Sequence, residues 1–198
     1  MKIGYLFMAI IIGNYCSVSA QSKFSIGPTA GFGLSSISNV SNSKSKLSGN
    51  AGLSFVYSAV EHFGIGADVK YSFEGTRVEY SGSKIDFDLN YVRIPVKAIY
   101  FFNKYGDKLR PKIFAGPSFG FLTTAKADGV SNKEDYDSFD LGLLFGAGLN
   151  YKLVNKTWFN VDVTYNNGLS DVTKNTILND DKNANRNLQL NVGVNFGL

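Results

Sequence analysis

Residues 187–198 read NLQLNVGVNFGL. Leu188, Leu190, Val192, Val194, Phe196 and Leu198 fall on one side of an extended chain. Asn187, Gln189, Asn191, Gly193, Asn195 and Gly197 fall on the other. Side chains of a strand alternate between two faces, so this is a strand with one apolar and one polar side.

Seven further segments carry the same period: residues 24–34, 50–60, 63–73, 87–102, 111–122, 139–153 and 157–166. Residues 63–73 place Phe63, Ile65, Ala67, Val69, Tyr71 and Phe73 opposite Gly64, Gly66, Asp68, Lys70 and Ser72. In the fourth segment Val92, Ile94, Val96, Ala98 and Tyr100 form the apolar row, while Phe87 and Leu89 have the opposite parity. A bulge near Tyr91 would reconcile the two halves. Phe114 breaks the alternation of the fifth segment and leaves its facing open. Trp158 shares the polar parity of the seventh and reads as an interfacial anchor on a locally twisted strand.

The connections alternate in length. Residues 35–49, 74–86, 123–138 and 167–186 are long and polar; residues 61–62, 103–109 and 154–156 are short. Outer-membrane barrels have an even strand number, short periplasmic turns and long extracellular loops. A segment of about ten residues suits a tilted strand crossing a bilayer. The expected fold is all-β: an eight-stranded antiparallel up-and-down transmembrane barrel with both termini on the periplasmic side.

Bulk properties agree with one such domain. Lys2, the apolar run at residues 3–13, and small Val18 and Ala20 predict a signal peptide over residues 1–20, cleaved between Ala20 and Gln21, with the barrel domain at residues 21–198. Cys16 raises a lipoprotein alternative, which bulky Tyr15 disfavours. Cys16 is also the one cysteine, so the processed chain would hold no disulfide and no cysteine-based metal site or nucleophile. The net charge of +4 is mild and scattered, and nucleic acid is not an expected partner.

Period-two strands alone do not say which face meets solvent. A soluble lipocalin-like barrel would bury its apolar face around a ligand; a membrane barrel turns that face to lipid. Aromatics favour the membrane. Phe24, Phe63, Tyr100, Tyr151 and Phe196 lie near the short-turn end of the apolar face, and Phe32, Tyr71, Phe73, Phe121, Phe139 and Tyr165 near the long-loop end. Two such rings match the two interfaces of a bilayer. The polar face carries Asp68, Lys70, Arg93, Lys97, Lys112, Asp140, Lys152 and Asp162. An eight-stranded lumen is just wide enough for side chains to fill, and buried charges must pair. These eight are therefore expected to form a lumen network that plugs the barrel.

The segment Asn90-Tyr91-Val92-Arg93-Ile94-Pro95-Val96-Lys97 resembles a strand of the PorT-like outer-membrane β-barrel proteins, with Tyr91, Ile94 and Pro95 at that family's marked positions. Phe114-Ala115-Gly116-Pro117-Ser118 is similar to the strand that follows it there, and the glycine-rich residues 140–149 to the family's sixth strand. The resemblance implies a barrel that is OmpA/OmpX-like in size, resident in the outer membrane of a Gram-negative cell. It implies a role in secretion or surface assembly, as some relatives have, and assembly through periplasmic chaperones and the barrel-assembly machinery. Many such barrels end on an aromatic residue; here Phe196, two residues short of the end, would carry part of that signal.

No catalytic set is legible. His62 is the one histidine, and a turn histidine without a facing nucleophile and acid reads as a solvated turn residue. Residues 179–183, NDDKN, offer oxygen ligands but lack the spacing of a calcium loop, so a solvated loop is preferred. Lys44 and Lys46 read as members of a flexible loop rather than a polysaccharide site. No cofactor is expected. Expected partners are outer-membrane lipid and, through the long connections, a surface or secretion-machinery protein; an adhesin or protective barrel is the alternative, and a lipid-modifying barrel enzyme a weaker one.

Overall fold

A computed structural model describes residues 23–80, 83–174 and 182–198. The predicted signal peptide and the loop residues Asn179, Asp180 and Asp181 lie outside them. The strands in chain order are β1 (Phe24–Ile37), β2 (Ser43–Tyr57), β3 (Phe63–Tyr80), β4 (Ser83–Phe101), β5 (Leu109–Ala127), the two-residue β6 (Val130–Ser131), β7 (Phe139–Val154), β8 (Thr157–Gly168) and β9 (Asn185–Gly197). Successive long strands pair antiparallel. β5 passes directly to β7, because β6 only folds back on the end of β5. Pairing of β1 with β9, with Ala30 opposite Val192, closes an eight-stranded barrel.

The expected inside-out polarity is present. Ile65 is 57% exposed and Val163 51%, whereas Lys70 and Arg93 retain 6% and 4%. The outward apolar rows end in aromatic contacts at both rims. Phe24 meets Tyr57, and Phe63 and Phe102 meet Tyr100, at the short-turn end. Tyr71 meets Phe73, and Phe121 meets Phe139, at the other.

The strands outrun their side-chain pattern at the long-loop end. The first long connection, expected over residues 35–49, contracts to residues 38–42. β3 and β4 stay paired out to Tyr80 and Ser83, although residues 74–86 read as a loop. The reason is physical: above the lipid both faces of a hairpin are wet, so alternation lapses while the backbone ladder continues. β5 likewise runs to Ala127, where Asp128 and Gly129, with φ of 45° and 83°, make the two-residue turn into β6. The first short turn is longer than expected and covers residues 58–62.

The irregularity foreseen at Tyr91 is real, but its extra residue lies on the neighbouring strand. Asn90 faces Thr124 and Tyr91 faces Leu122, leaving Thr123 of β5 unpaired. The Thr123 hydroxyl donates to Asn90 O at 2.8 Å. β4 therefore keeps one parity throughout, and Leu89, Tyr91 and Arg93 all point inward.

Candidate functional site

The inward rows of β3, β4, β5, β7 and β8 bring most of the predicted charges together in tiers. In the middle tier Lys97 Nζ lies 2.7 and 2.8 Å from the two Asp68 oxygens, and Lys70 Nζ 3.8 Å from the second. Lys112 Nζ sits 2.9 and 3.0 Å from the Asp162 carboxylate oxygens. Phe114, whose facing the alternation left open, points inward; Lys97 and Lys112 stand 5.4 and 5.7 Å from its ring centre. A cation over an aromatic face gains from the ring quadrupole, so Phe114 helps hold two ammonium groups close together. Opposite them, β2 and β9 supply neutral amides: Asn50 donates to Gln189 and Asn191, both at 2.8 Å.

The upper tier is built on Arg93. Its guanidinium grips Glu74 through Nε and through Nη2, the latter 2.6 Å from Oε2. The same Nη2 reaches Asp140 Oδ2 at 2.7 Å. Asp140 also accepts from the Ser170 hydroxyl at 2.9 Å and from Asn185 Nδ2 at 3.0 Å, and Asn185 Nδ2 reaches Tyr91 OH at 3.1 Å. Ser170 and Asn185 flank the last long connection, so this knot ties the lumen to the loop above it. Glu74 was not among the predicted charges, because the strand was taken to stop at Phe73. The polar row Asp68, Lys70, Ser72 does continue in register through Glu74 and Thr76, and that is the signal for it.

Both mouths are lined by packed side chains. At the long-loop end Ile37, Leu89, Leu122 and Ala125 pack beneath Tyr136 and Val172. Those two come from different connections, which zip together through Asp137 N to Val172 O at 3.0 Å and Lys174 N to Asp135 O at 3.0 Å. Burial pushes the Tyr136 phenol up from its ordinary value. At the short-turn end the buried Arg110 guanidinium lies 4.0 Å over the Phe101 ring and donates to Glu61 O at 2.8 Å. Arg110 was missed because it fell at the predicted edge of a turn. The void left among Asp68, Lys97, Lys112 and Phe114 is about 20 Å³, on the order of a single water molecule.

Other predicted residues stand elsewhere. Lys152 does not join the lumen ion pairs; its ammonium lies 5.9 Å over Trp158 at the short-turn mouth. Trp158 itself lines that mouth with Arg110 and Asn160 instead of anchoring in lipid. His62 is half-buried, its Nδ1 2.8 Å from Phe101 O, and so braces the turn. Lys46 belongs to β2 and pairs with Asp88 at 2.6 Å and Asp86 at 3.5 Å, beyond the upper aromatic ring. Among the described residues no three His, Cys, Asp or Glu side chains are placed to share a metal ion.

The upper hairpin also holds a forked pair, with Arg77 Nε and Nη2 2.6 and 2.9 Å from the Asp86 oxygens. The Arg77 hydrogen bonds hold the Asp86 carboxyl down, from 3.8 to about 2. A depressed carboxyl stabilises the folded hairpin fully above its unfolded value and loses that contribution as pH falls through the folded one. Amide protection of the β3–β4 hairpin is therefore expected to be flat above about pH 4 and to decline from there toward pH 2. Arg77→Gln should flatten the acid decline; hydrogen exchange read by mass spectrometry checks both.

Comparison with known proteins follows the same lines. The family model for the outer membrane protein beta-barrel domain matches residues 19–174. The Neisserial surface protein A structure is similar at 23% identity and TM-score 0.60, covering 89% of this chain and 98% of that one. OprG from Pseudomonas aeruginosa gives 16% identity and TM-score 0.60 over 89% of this chain and 95% of its own. The E. coli outer membrane protein W gives 12% and 0.52 over 91% and 100%. At these identities the likenesses show the fold. No curated protein gives a significant match.

Proposed function

The chain belongs to the outer membrane protein beta-barrel domain family, and from that premise we propose that it is a sealed barrel of a Gram-negative outer membrane, acting through its extracellular hairpins. The observation that carries this reading is the Arg93–Glu74–Asp140 knot beneath the Tyr136–Val172 cap. Charges that are paired, buried and tied to the loops above them hold a plug in place. The interior is then a scaffold, and recognition falls to the paired extensions of β1–β5 and to the last two connections. The reading includes export by a signal peptide over residues 1–20 and assembly through the C-terminal strand, where Phe196 faces outward. It leaves out enzymatic activity, because His62 is spent on the Phe101 carbonyl at the end of β4.

The refolded protein is expected to give no stable channels in planar bilayers at neutral pH. Reproducible large conductance from monodisperse protein would refute the sealed barrel. The likeness of residues 90–97 and 114–118 to PorT-like strands favours a secretion or surface-assembly accessory as the specific task. Loss of secreted or surface protein in a deletion strain, restored by the full chain and not by one lacking residues 128–138, is the expected result. Normal secretion with loss of surface attachment would favour the adhesin instead.

A further inference from the structure

The net charge of +4 counts Lys2 of the predicted signal peptide, and the remainder is not spread evenly along the barrel axis. In the lumen Asp68, Glu74, Asp140 and Asp162 stand against Lys70, Arg93, Lys97 and Lys112. Beyond the upper aromatic ring the signs interleave, with Lys46, Arg77 and Lys84 paired to Asp88, Asp86 and Glu79. The short-turn end is different. Lys23, Lys104, Lys108, Lys152 and Lys156 gather there, with Arg110 behind them, and the acids among the described residues of that end are Glu61 and Asp107. Among the described residues none of these five lysines is held in an ion pair. The excess charge of the barrel is therefore a basic rim at one end.

We propose that this rim binds anionic phospholipid headgroups of the periplasmic leaflet. The inference rests on the membrane orientation given above, in which short turns face the periplasm. Three features favour lipid over a soluble acidic partner. The lysines lie just beyond the lower aromatic ring, at headgroup depth, where aromatic and basic side chains together anchor a protein to an interface. Lys108 Nζ stands 5.4 Å from the ring of Tyr151, which faces outward from the wall, so its charge emerges on the lipid side. The cations are also dispersed: Lys23 just before β1, Lys104 and Lys108 on the β4–β5 turn, Lys152 near the end of β7 and Lys156 on the β7–β8 turn. Dispersed charges on short turns suit many small headgroups rather than one large ligand. Each lysine near an anionic surface adds attraction that salt screens within a Debye length.

The test uses the refolded full-length barrel in phosphatidylcholine vesicles carrying trace spin-labelled phosphatidylglycerol or spin-labelled phosphatidylcholine. Electron spin resonance then reads the fraction of each lipid held at the protein surface. Phosphatidylglycerol is expected to be favoured about threefold or more at low salt, falling toward parity at high salt, as for a few lysine–headgroup attractions. The variant Lys104→Gln/Lys108→Gln/Lys156→Gln should lose most of the preference. Lys84→Gln/Lys126→Gln/Lys133→Gln at the other end should keep it. Heat-modifiable gel mobility verifies that each variant is folded. Equal retention of the two lipids, or a preference that survives the first triple variant, overturns the proposal. Binding of soluble polyglutamate without lipid preference overturns it in favour of an acidic periplasmic partner. Absence of any surface-held component for either lipid would instead refute the membrane barrel itself.

Discussion

Arg93→Met is expected to destabilise the barrel by about 3–5 kcal/mol, the range for breaking a buried ion pair from one side. Arg93 is the one cation in contact with both Glu74 and Asp140 among the described residues, and all three side chains are almost wholly buried. Methionine keeps much of the volume and removes the charge, so two carboxylates remain in a site that water does not reach. The loss should appear as a lower urea midpoint for unfolding from vesicles and a lower temperature for the gel-mobility transition. It should spread to the cap, because Asp140 also receives Ser170 and Asn185 from either side of the last connection. Protease access around residues 169–174 is therefore expected to rise in folded Arg93→Met protein. The decisive comparison is Arg93→Met/Glu74→Gln/Asp140→Asn. Much of the cost of removing one partner is the uncompensated buried charge it leaves, and the triple variant leaves none, so it should recover most of the lost midpoint. If it is no better than Arg93→Met, packing of the arginine stem, not charge pairing, holds the upper tier.

That knot shows where the sequence was legible. Strand number, the parity of most inward and outward rows, and the aromatic rings were readable, because lipid on one side and a filled lumen on the other impose alternation for the depth of the bilayer; Phe114 and Leu89 escaped it. Asp68, Lys70, Arg93, Lys97, Lys112, Asp140 and Asp162 were found by the same parity. Where one constraint stops, so does the signal. Glu74 lies at the upper edge, where the outward row has reached the last aromatic, Phe73, and the strand no longer looks amphipathic although its backbone remains paired with β4. Arg110 lies at the lower edge, where Leu109 begins the strand before the alternation is long enough to read. Lys152 has the right parity but the wrong depth. It stands at the mouth beside Trp158, and parity carries no information about height. The position of Thr123 was illegible for another reason. A bulge is a relation between two strands, and the sequence of β4 alone cannot say which partner carries the extra residue.

Curvature is a second property written in pairs of strands, and it sets the other large effect. At the seam between β1 and β9 the pairing skips Gly27 and Pro28, between Ile26 opposite Phe196 and Thr29 opposite Gly193, with the register unchanged across the gap. There the Val194 carbonyl folds over Gly27. A Cβ added at Gly27 would overlap that oxygen and lie 2.7 Å from Val194 C and 2.9 Å from Asn195 Cα. All three are backbone atoms, so no rotamer change relieves the clash, and the seam itself must open. Gly27→Ala is expected to cost about 3 kcal/mol, the upper part of the usual range for overpacking, and to reduce the yield of compact, heat-modifiable barrel on refolding. Gly49→Ala is the matched control. Its nearest contact would be Gly31 O at 3.4 Å, an ordinary approach, and alanine in place of a strand glycine removes backbone entropy from the unfolded chain. That variant should be neutral or slightly stabilising. If Gly27→Ala refolds as well as Gly49→Ala, with an unchanged urea midpoint, then closure does not depend on bare backbone at the first strand. The glycines on the polar face would then serve only to leave room for the lumen side chains. If the two diverge as expected, the glycine-rich polar rows do more than spare volume: they let neighbouring strands approach closely enough for eight of them to close around a filled interior.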